Sequence, residues 1–95
     1  MSILEMFNLN GKTAIITGGG RGLGEQIAKG YAEAGANIVL CSRKVEACEE
    51  TAGELETLGV KTLAIQCDVS NPDDIQRVVD ETISRFGRID ILVNN

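Results

Sequence analysis

The chain contains no histidine, which removes imidazole both as a general base and as a metal ligand. Its three cysteines, Cys41, Cys48 and Cys67, have no C-x-x-C spacing. An odd number of widely separated thiols makes neither a disulfide framework nor a zinc site, and no metal site is expected. Reduced structural thiols in a cytoplasmic protein are expected instead. Basic residues are scarce, 9 against 14 acidic ones, for a net charge of −5. Nucleic acid and anionic membrane both need a basic patch, so neither is expected as a partner, although a local anion site is still allowed. No apolar run approaches the ~18 residues of a membrane span, and no basic segment leads into an apolar one at the N-terminus. Proline occurs once. A length of 95 residues allows one small domain that buries about two-thirds of its unfolded surface. What is abundant is glycine, with 11 residues.

Residues 1–11 read as a lead-in, with Met6, Phe7 and Leu9 available for packing. A first strand follows, Ala14-Ile15-Ile16 ending at Thr17. Leu23, Ile27, Tyr31 and Ala34 then recur at helical spacing up to Gly35. Ile38 to Cys41 is a second strand. Val45, Cys48, Ala52, Leu55 and Leu58 mark a second helix closed by Gly59. Lys61 to Gln66 is a third strand. Ile75, Val78, Val79, Ile83 and Phe86 mark a third helix closed by Gly87, and Ile89 to Val93 is a fourth strand. Each glycine stands where a helix stops in the left-handed region, which a residue without Cβ enters at no steric cost. The third helix also has a start signal: Ser70 or Asn71 as cap, Pro72 in the first turn, and Asp73 and Asp74 at the positive end of the dipole.

Strands beginning near residues 13, 37, 61 and 89 are spaced for strand–helix–strand units, not hairpins. Their apolar runs lack alternation, as expected of a parallel sheet covered on both faces. The predicted fold class is α/β, a three-layer Rossmann-type arrangement. It comprises the N-terminal βαβαβαβ half of a doubly wound parallel sheet, with right-handed crossovers and strand order 3-2-1-4.

The chemical signal is Thr17-Gly18-Gly19-Gly20-Arg21-Gly22-Leu23-Gly24, where the first strand hands over to the first helix. Backbone N–H groups and the helix dipole converge there on an anion. Glycines permit the sharp turn and the close approach of a phosphate. A P-loop is excluded, because Gly24 is followed by Glu25 and Gln26, not by Lys and Ser/Thr. The G-x-G-x-x-G fingerprint also fails; the spacing is G-x-x-x-G-x-G. A purely structural glycine turn is the alternative reading.

That spacing resembles the cofactor loop of the short-chain dehydrogenases/reductases. Cys67-Asp68-Val69 is similar to that family's acidic residue beside the adenine ring. Asp90-Ile91-Leu92-Val93-Asn94-Asn95 is similar to the strand leading into its Asn-Asn-Ala-Gly motif. The three motifs stand in order and span nearly the whole chain. Asn10-Gly11-Lys12 and the Val39-Leu40-Cys41-Ser42-Arg43 ending look most like gluconate 5-dehydrogenase-type polyol and sugar-acid dehydrogenases and 3-oxoacyl-carrier-protein reductases.

The resemblance implies a nicotinamide dinucleotide as cofactor. Its binding residues would be Thr17, Gly18, Gly20, Arg21, Gly22, Leu23, Gly24, Ser42, Arg43, Asp68, Val69, Asn94 and Asn95. It also implies a small carbonyl or alcohol substrate and, at full length, a homo-oligomer, commonly a tetramer. An acidic residue at the end of the second strand would favour NAD, and an arginine NADP. The sequence there is Cys41-Ser42-Arg43-Lys44, with no carboxylate before Glu46. Arg43 can clamp a 2′-phosphate and Ser42 can add a hydroxyl bond, while Arg21 sits where the family's NADP users often carry a second base. NADP is therefore expected over NAD.

The family's catalytic Ser, Tyr and Lys, the last two spaced Tyr-x-x-x-Lys, are missing. The single tyrosine, Tyr31, is followed four residues on by Gly35 and reads as core. No catalytic residue is assigned. Residues 1–95 are expected to be the NAD(P)-binding part of a longer oxidoreductase, cut before its catalytic segment and inactive alone. The competing reading is a non-catalytic nucleotide-binding module or a fragment without independent activity.

Overall fold

In a computed structural model, residues 8–95 are described, so the expected packing of Met6 and Phe7 falls outside the described residues. Strand β1 (Thr13–Thr17) is followed by helix α1 (Gly22–Glu33), strand β2 (Asn37–Ser42), helix α2 (Val45–Glu56), strand β3 (Thr62–Gln66), helix α3 (Pro72–Phe86) and strand β4 (Ile91–Asn94). The strands form one parallel sheet in the order β3-β2-β1-β4. This is the predicted half of a doubly wound, Rossmann-type fold.

Alternate residues of each strand face opposite sides. Ala14, Ile16, Ile38 and Leu40 pack with Ala28 and Ala32 of α1 and Cys48, Ala52 and Leu55 of α2. Ile15, Val39, Cys41, Ile65 and Cys67 face the other way, toward Val78 of α3. The chain steps outward from β1 to β3 and then crosses back to β4. With right-handed connections that reversal moves the covering helix to the opposite face. Both faces are therefore apolar, and the strands show no alternation. Ile16, Ile38, Leu40 and Leu55 are at most 1% exposed, and burying such a side chain contributes about 1.5–3 kcal/mol. Leu9 packs on the α1–α2 side.

The expected helix stops differ from the observed ones at two of three ends. Gly35, Gly59 and Gly87 all take positive φ. Only α3, however, runs to the residue before its glycine. Helix α1 ends at Glu33, with Ala34 as its C-cap. Helix α2 ends at Glu56, because the Thr57, Leu58 and Gly59 amides all bond three residues back, a tightening toward 3₁₀ geometry. Leu58 thus leaves the helix and is exposed instead of joining its apolar face. At the start of α3 the cap is Asn71, whose Oδ1 accepts from the Asp73 N–H at 3.0 Å. Strand β4 begins at Ile91, not Ile89. Before it, the Asp90 N–H bonds to the Thr13 carbonyl at 2.9 Å, and the Asp90 carboxylate accepts from the Thr13 N–H at 2.9 Å.

Candidate functional site

Thr17 and Asn94 are register partners at the carboxyl ends of β1 and β4. The chain leaves β1 toward one face of the sheet and reaches β4 from the other, so a crevice opens between these strand ends. The glycine-rich loop forms one wall. Gly18 and Gly22 lie at φ +66° and +60°, the left-handed region that favours glycine. A Cβ on Gly24 would run into the Gly18 carbonyl and lie 2.8 Å from Asn95 Nδ2. A Cβ on Gly20 would stand 2.7 Å from the Cys48 backbone nitrogen. The loop is therefore pressed against both helices at Gly20 and Gly24, where no Cβ fits.

Among the described residues, no acceptor meets the N–H groups of Arg21, Gly22, Leu23 or Gly24. These are the donors that a helix start leaves without an intrahelical partner. Arg21 occupies the N-cap with no side-chain cap bond. A cation at the positive end of a helix is mildly unfavourable, and none of the ion pairs among the described residues includes Arg21, Arg43 or Lys44. Free donors and cations outside any ion pair suit a bound anion.

Beside the loop lies a cleft of about 380 Å³, lined by Thr17, Gly18, Ser42, Arg43, Asp68, Val69 and Asn95 among others. Seven of the thirteen sequence-predicted binding residues thus share one cavity. Gly20, Arg21, Gly22, Leu23 and Gly24 stand outside its lining, on the loop and first turn of α1. Asn94 lines an adjoining apolar groove of similar volume beneath α3. Leu23 and Val69 are large apolar side chains at 65% and 50% exposure.

Asp68 accepts from both the Ser70 N–H (2.9 Å) and the Ser70 hydroxyl (2.6 Å). Those bonds, assisted by the nearby Arg43 guanidinium, hold its carboxyl below the ordinary range, so it is a charged acceptor at neutral pH. The Ser42 hydroxyl donates to the Lys44 carbonyl at 2.6 Å, so here its proton is committed to the turn before α2. Asn95 reaches back to the loop, its Nδ2 3.4 Å from the Gly18 carbonyl.

Cys41 and Cys67 form part of the cleft wall, but both are at most 2% exposed. Burial pushes the Cys41 thiol up to about 12, which argues against a nucleophile. Tyr31 is half-buried against the α1–α2 core. No group of three or more metal-ligating side chains occurs among the described residues.

The pattern of apolar residues overlooked Thr51. It is 3% exposed on α2, and its hydroxyl donates to the Gly20 carbonyl at 3.0 Å. A polar residue within the Cys48-Ala52-Leu55 face was the available signal.

The sequence profile described as short chain dehydrogenase matches residues 12–95. The chain is 47% identical, over 93% of its length, to 11-beta-hydroxysteroid dehydrogenase 1A of Arabidopsis thaliana, of which it covers 26%. The crystal structure of a short-chain type dehydrogenase/reductase from Mycobacterium marinum superposes with a TM-score of 0.90 at 41% identity. That match covers 96% of this chain and 36% of the other. L-sorbose reductase from Gluconobacter frateurii, solved in complex with NADPH and L-sorbose, superposes with a TM-score of 0.88 at 44% identity, covering 94% of this chain and 34% of that one. The chain spans about a third of the length of the curated relatives it matches.

Proposed function

This chain belongs to the short-chain dehydrogenase/reductase family, and from that premise we propose that it is the cofactor-binding part of an NADP(H)-dependent oxidoreductase interconverting an alcohol and a ketone. The observation that carries the reading is the set of acceptor-free N–H groups from Arg21 to Gly24 at the start of α1, beside the cleft that Arg43 and Asp68 line. The donors suit a diphosphate, and the glycine cradle leaves room for it to approach the backbone.

In this reading Gly18 to Gly24 hold the diphosphate and Asp68 and Val69 border the adenine. Arg43 takes the 2′-phosphate, with Ser42 adding a hydroxyl bond and Arg21 of the loop as a second base. Asn94 and Asn95 hold the end of β4 on the ribose side. A bound nicotinamide dinucleotide would supply the hydride carrier. The preference for NADP rests on Arg43 and Lys44 following β2 with no carboxylate before Glu46, and the solved relative named as an NADPH complex accords with it.

Relatives named for hydroxysteroid and sorbose chemistry share an alcohol–carbonyl interconversion, and we propose that class here, with sugar acids, polyols and 3-oxoacyl compounds as the first substrates to try. Catalytic side chains are proposed to lie outside residues 1–95, and homo-oligomeric assembly and a cytoplasmic setting are proposed with them. No described helix is long and apolar enough to cross a membrane.

The test is a fluorescence titration of the full-length protein with NADPH and NADH. NADPH is expected to bind more tightly. Arg43→Asp should weaken NADPH by roughly 10-fold or more, since a charge-assisted contact contributes about 1.5–3 kcal/mol. Unchanged NADPH affinity in that variant would exclude the arginine role, and no binding of either nucleotide would exclude the cofactor reading.

A further inference from the structure

Thr51 has an unusual use of its hydroxyl for a buried helical threonine. Such a group ordinarily bonds back to the carbonyl four residues earlier in its own helix. Thr82 of α3 does so, donating to the Val78 carbonyl at 2.6 Å. Thr51 turns outward and donates to the Gly20 carbonyl, 31 residues away, at 3.0 Å. Its surroundings are otherwise apolar: Cys48, Ala52 and Leu55 are all buried.

The consequence lies in the peptide joining Gly20 to Arg21. The described chain contains no cis peptide, and in a planar trans peptide the C=O and N–H point in opposite directions. A carbonyl held toward α2 therefore aims the Arg21 N–H away from α2. That N–H is one of the loop donors that meet no acceptor among the described residues. Gly20 is also wedged against the backbone of Ala47 and Cys48, so the peptide cannot slide along the helix. Resting on the dinucleotide reading above, we infer that Thr51 is a positioning residue for diphosphate binding. Its hydroxyl fixes the Gly20–Arg21 peptide in the orientation that presents the Arg21 N–H to the anion.

The experiment compares Thr51→Val, which keeps shape and loses the hydroxyl, with Thr51→Ser, which keeps the hydroxyl. Both are made in the full-length protein and titrated with NADPH and with adenosine 2′-monophosphate, which lacks the diphosphate. Thr51→Val is expected to weaken NADPH about fivefold or more and to leave adenosine 2′-monophosphate unchanged, while Thr51→Ser binds both as the parent does. If Thr51→Val does not fold by circular dichroism, Thr51→Ala takes its place against Thr51→Ser. Equal NADPH affinity in the parent and the hydroxyl-free variant would overturn the inference while leaving the nucleotide site intact. Equal loss of both ligands, or loss in Thr51→Ser, would also overturn it, because packing and not the hydroxyl would then be responsible. A parent protein that binds neither nucleotide would remove the dinucleotide reading itself.

Discussion

The Thr17 hydroxyl at the end of β1 accepts the backbone N–H of Asn95 at 2.9 Å, 78 residues further along the chain. The same oxygen lies 3.2 Å from Asn94 Oδ1 and 3.4 Å from the Val93 carbonyl, so its own proton is donated on the β4 side as well. One side chain thus closes the end of the parallel ladder at the crevice where the strand order reverses.

Replacing Thr17 by Val keeps the branched shape and leaves the Asn95 N–H without its partner. A net hydrogen bond contributes about 0.5–1.5 kcal/mol, so Thr17→Val is expected to lower stability by about that amount in urea unfolding, while Thr17→Ser retains most of it. Thr17→Val unfolding at the parent's urea concentration would show that the hydroxyl bond adds nothing to stability.

Two glycines of α1 should respond to alanine with opposite signs. In a helix Ala is favoured over Gly by up to about 1 kcal/mol. At Gly30 an added Cβ meets nothing within 4 Å, so Gly30→Ala should raise the unfolding midpoint. At Gly24 the Cβ would collide with the Gly18 carbonyl, a backbone atom held by the loop. Overpacking of this kind costs about 1–3 kcal/mol, which exceeds the propensity gain. Gly24→Ala should therefore unfold earlier and bind nucleotide less well. Matching shifts in the two variants would refute the close-approach role of Gly24.

Much of this arrangement is legible in the sequence because it rests on local backbone requirements. The strand–helix period follows from the spacing of apolar runs, while the start of α3 at Ser70 or Asn71 before Pro72 and the positive φ of Gly35, Gly59 and Gly87 follow from what one residue type can or cannot do. The helix ends are less legible. A glycine marks the left-handed residue, whereas α2 loosens into three-residue bonds before reaching Gly59. Least legible are side chains whose partners are remote. Thr51 meets Gly20, and Asp90 meets Thr13 across 77 residues. Neither pairing has a periodicity, and both exist only once the sheet order is set. The Ser42 hydroxyl donates to a carbonyl two residues away, a local competition typical of serine near a turn that the sequence does not announce.

The thiols give a third prediction. With Cys41 pushed up to about 12 by burial, roughly one molecule in ten thousand carries its thiolate at pH 8, and the thiolate is the reactive form. Cys41 and Cys67 are buried, and burial also raises Cys67. Iodoacetamide at pH 8 should leave the folded protein unmodified at both positions over a period that alkylates the urea-unfolded chain at all three cysteines. Rapid labelling of Cys41 in the folded protein, read by peptide mass mapping, would contradict its burial.

The last prediction concerns acid. Asp90 accepts a bidentate pair from Arg88, Nε to Oδ2 at 2.8 Å and Nη2 to Oδ1 at 2.7 Å, and its Oδ2 also takes the Thr13 N–H. The guanidinium contact is the largest cause holding the carboxyl below its ordinary value of 3.8, and the Thr13 bond adds to it. A lowered folded-state value means that the unfolded chain binds the proton more readily. The stabilisation is therefore complete above the ordinary carboxylate range and lost as pH falls through the lowered value. Asp90→Asn keeps an acceptor for Thr13 and removes the charge. It should be less stable than the parent at pH 7, with the difference shrinking as pH falls below about 4. Added salt at pH 7 should narrow the same difference, because the pair faces solvent and is screened. Thermal melts of both proteins from pH 7 to pH 3, at low and high salt, measure this. A difference that stays constant with pH would mean that the charge of Asp90 is not what stabilises the protein.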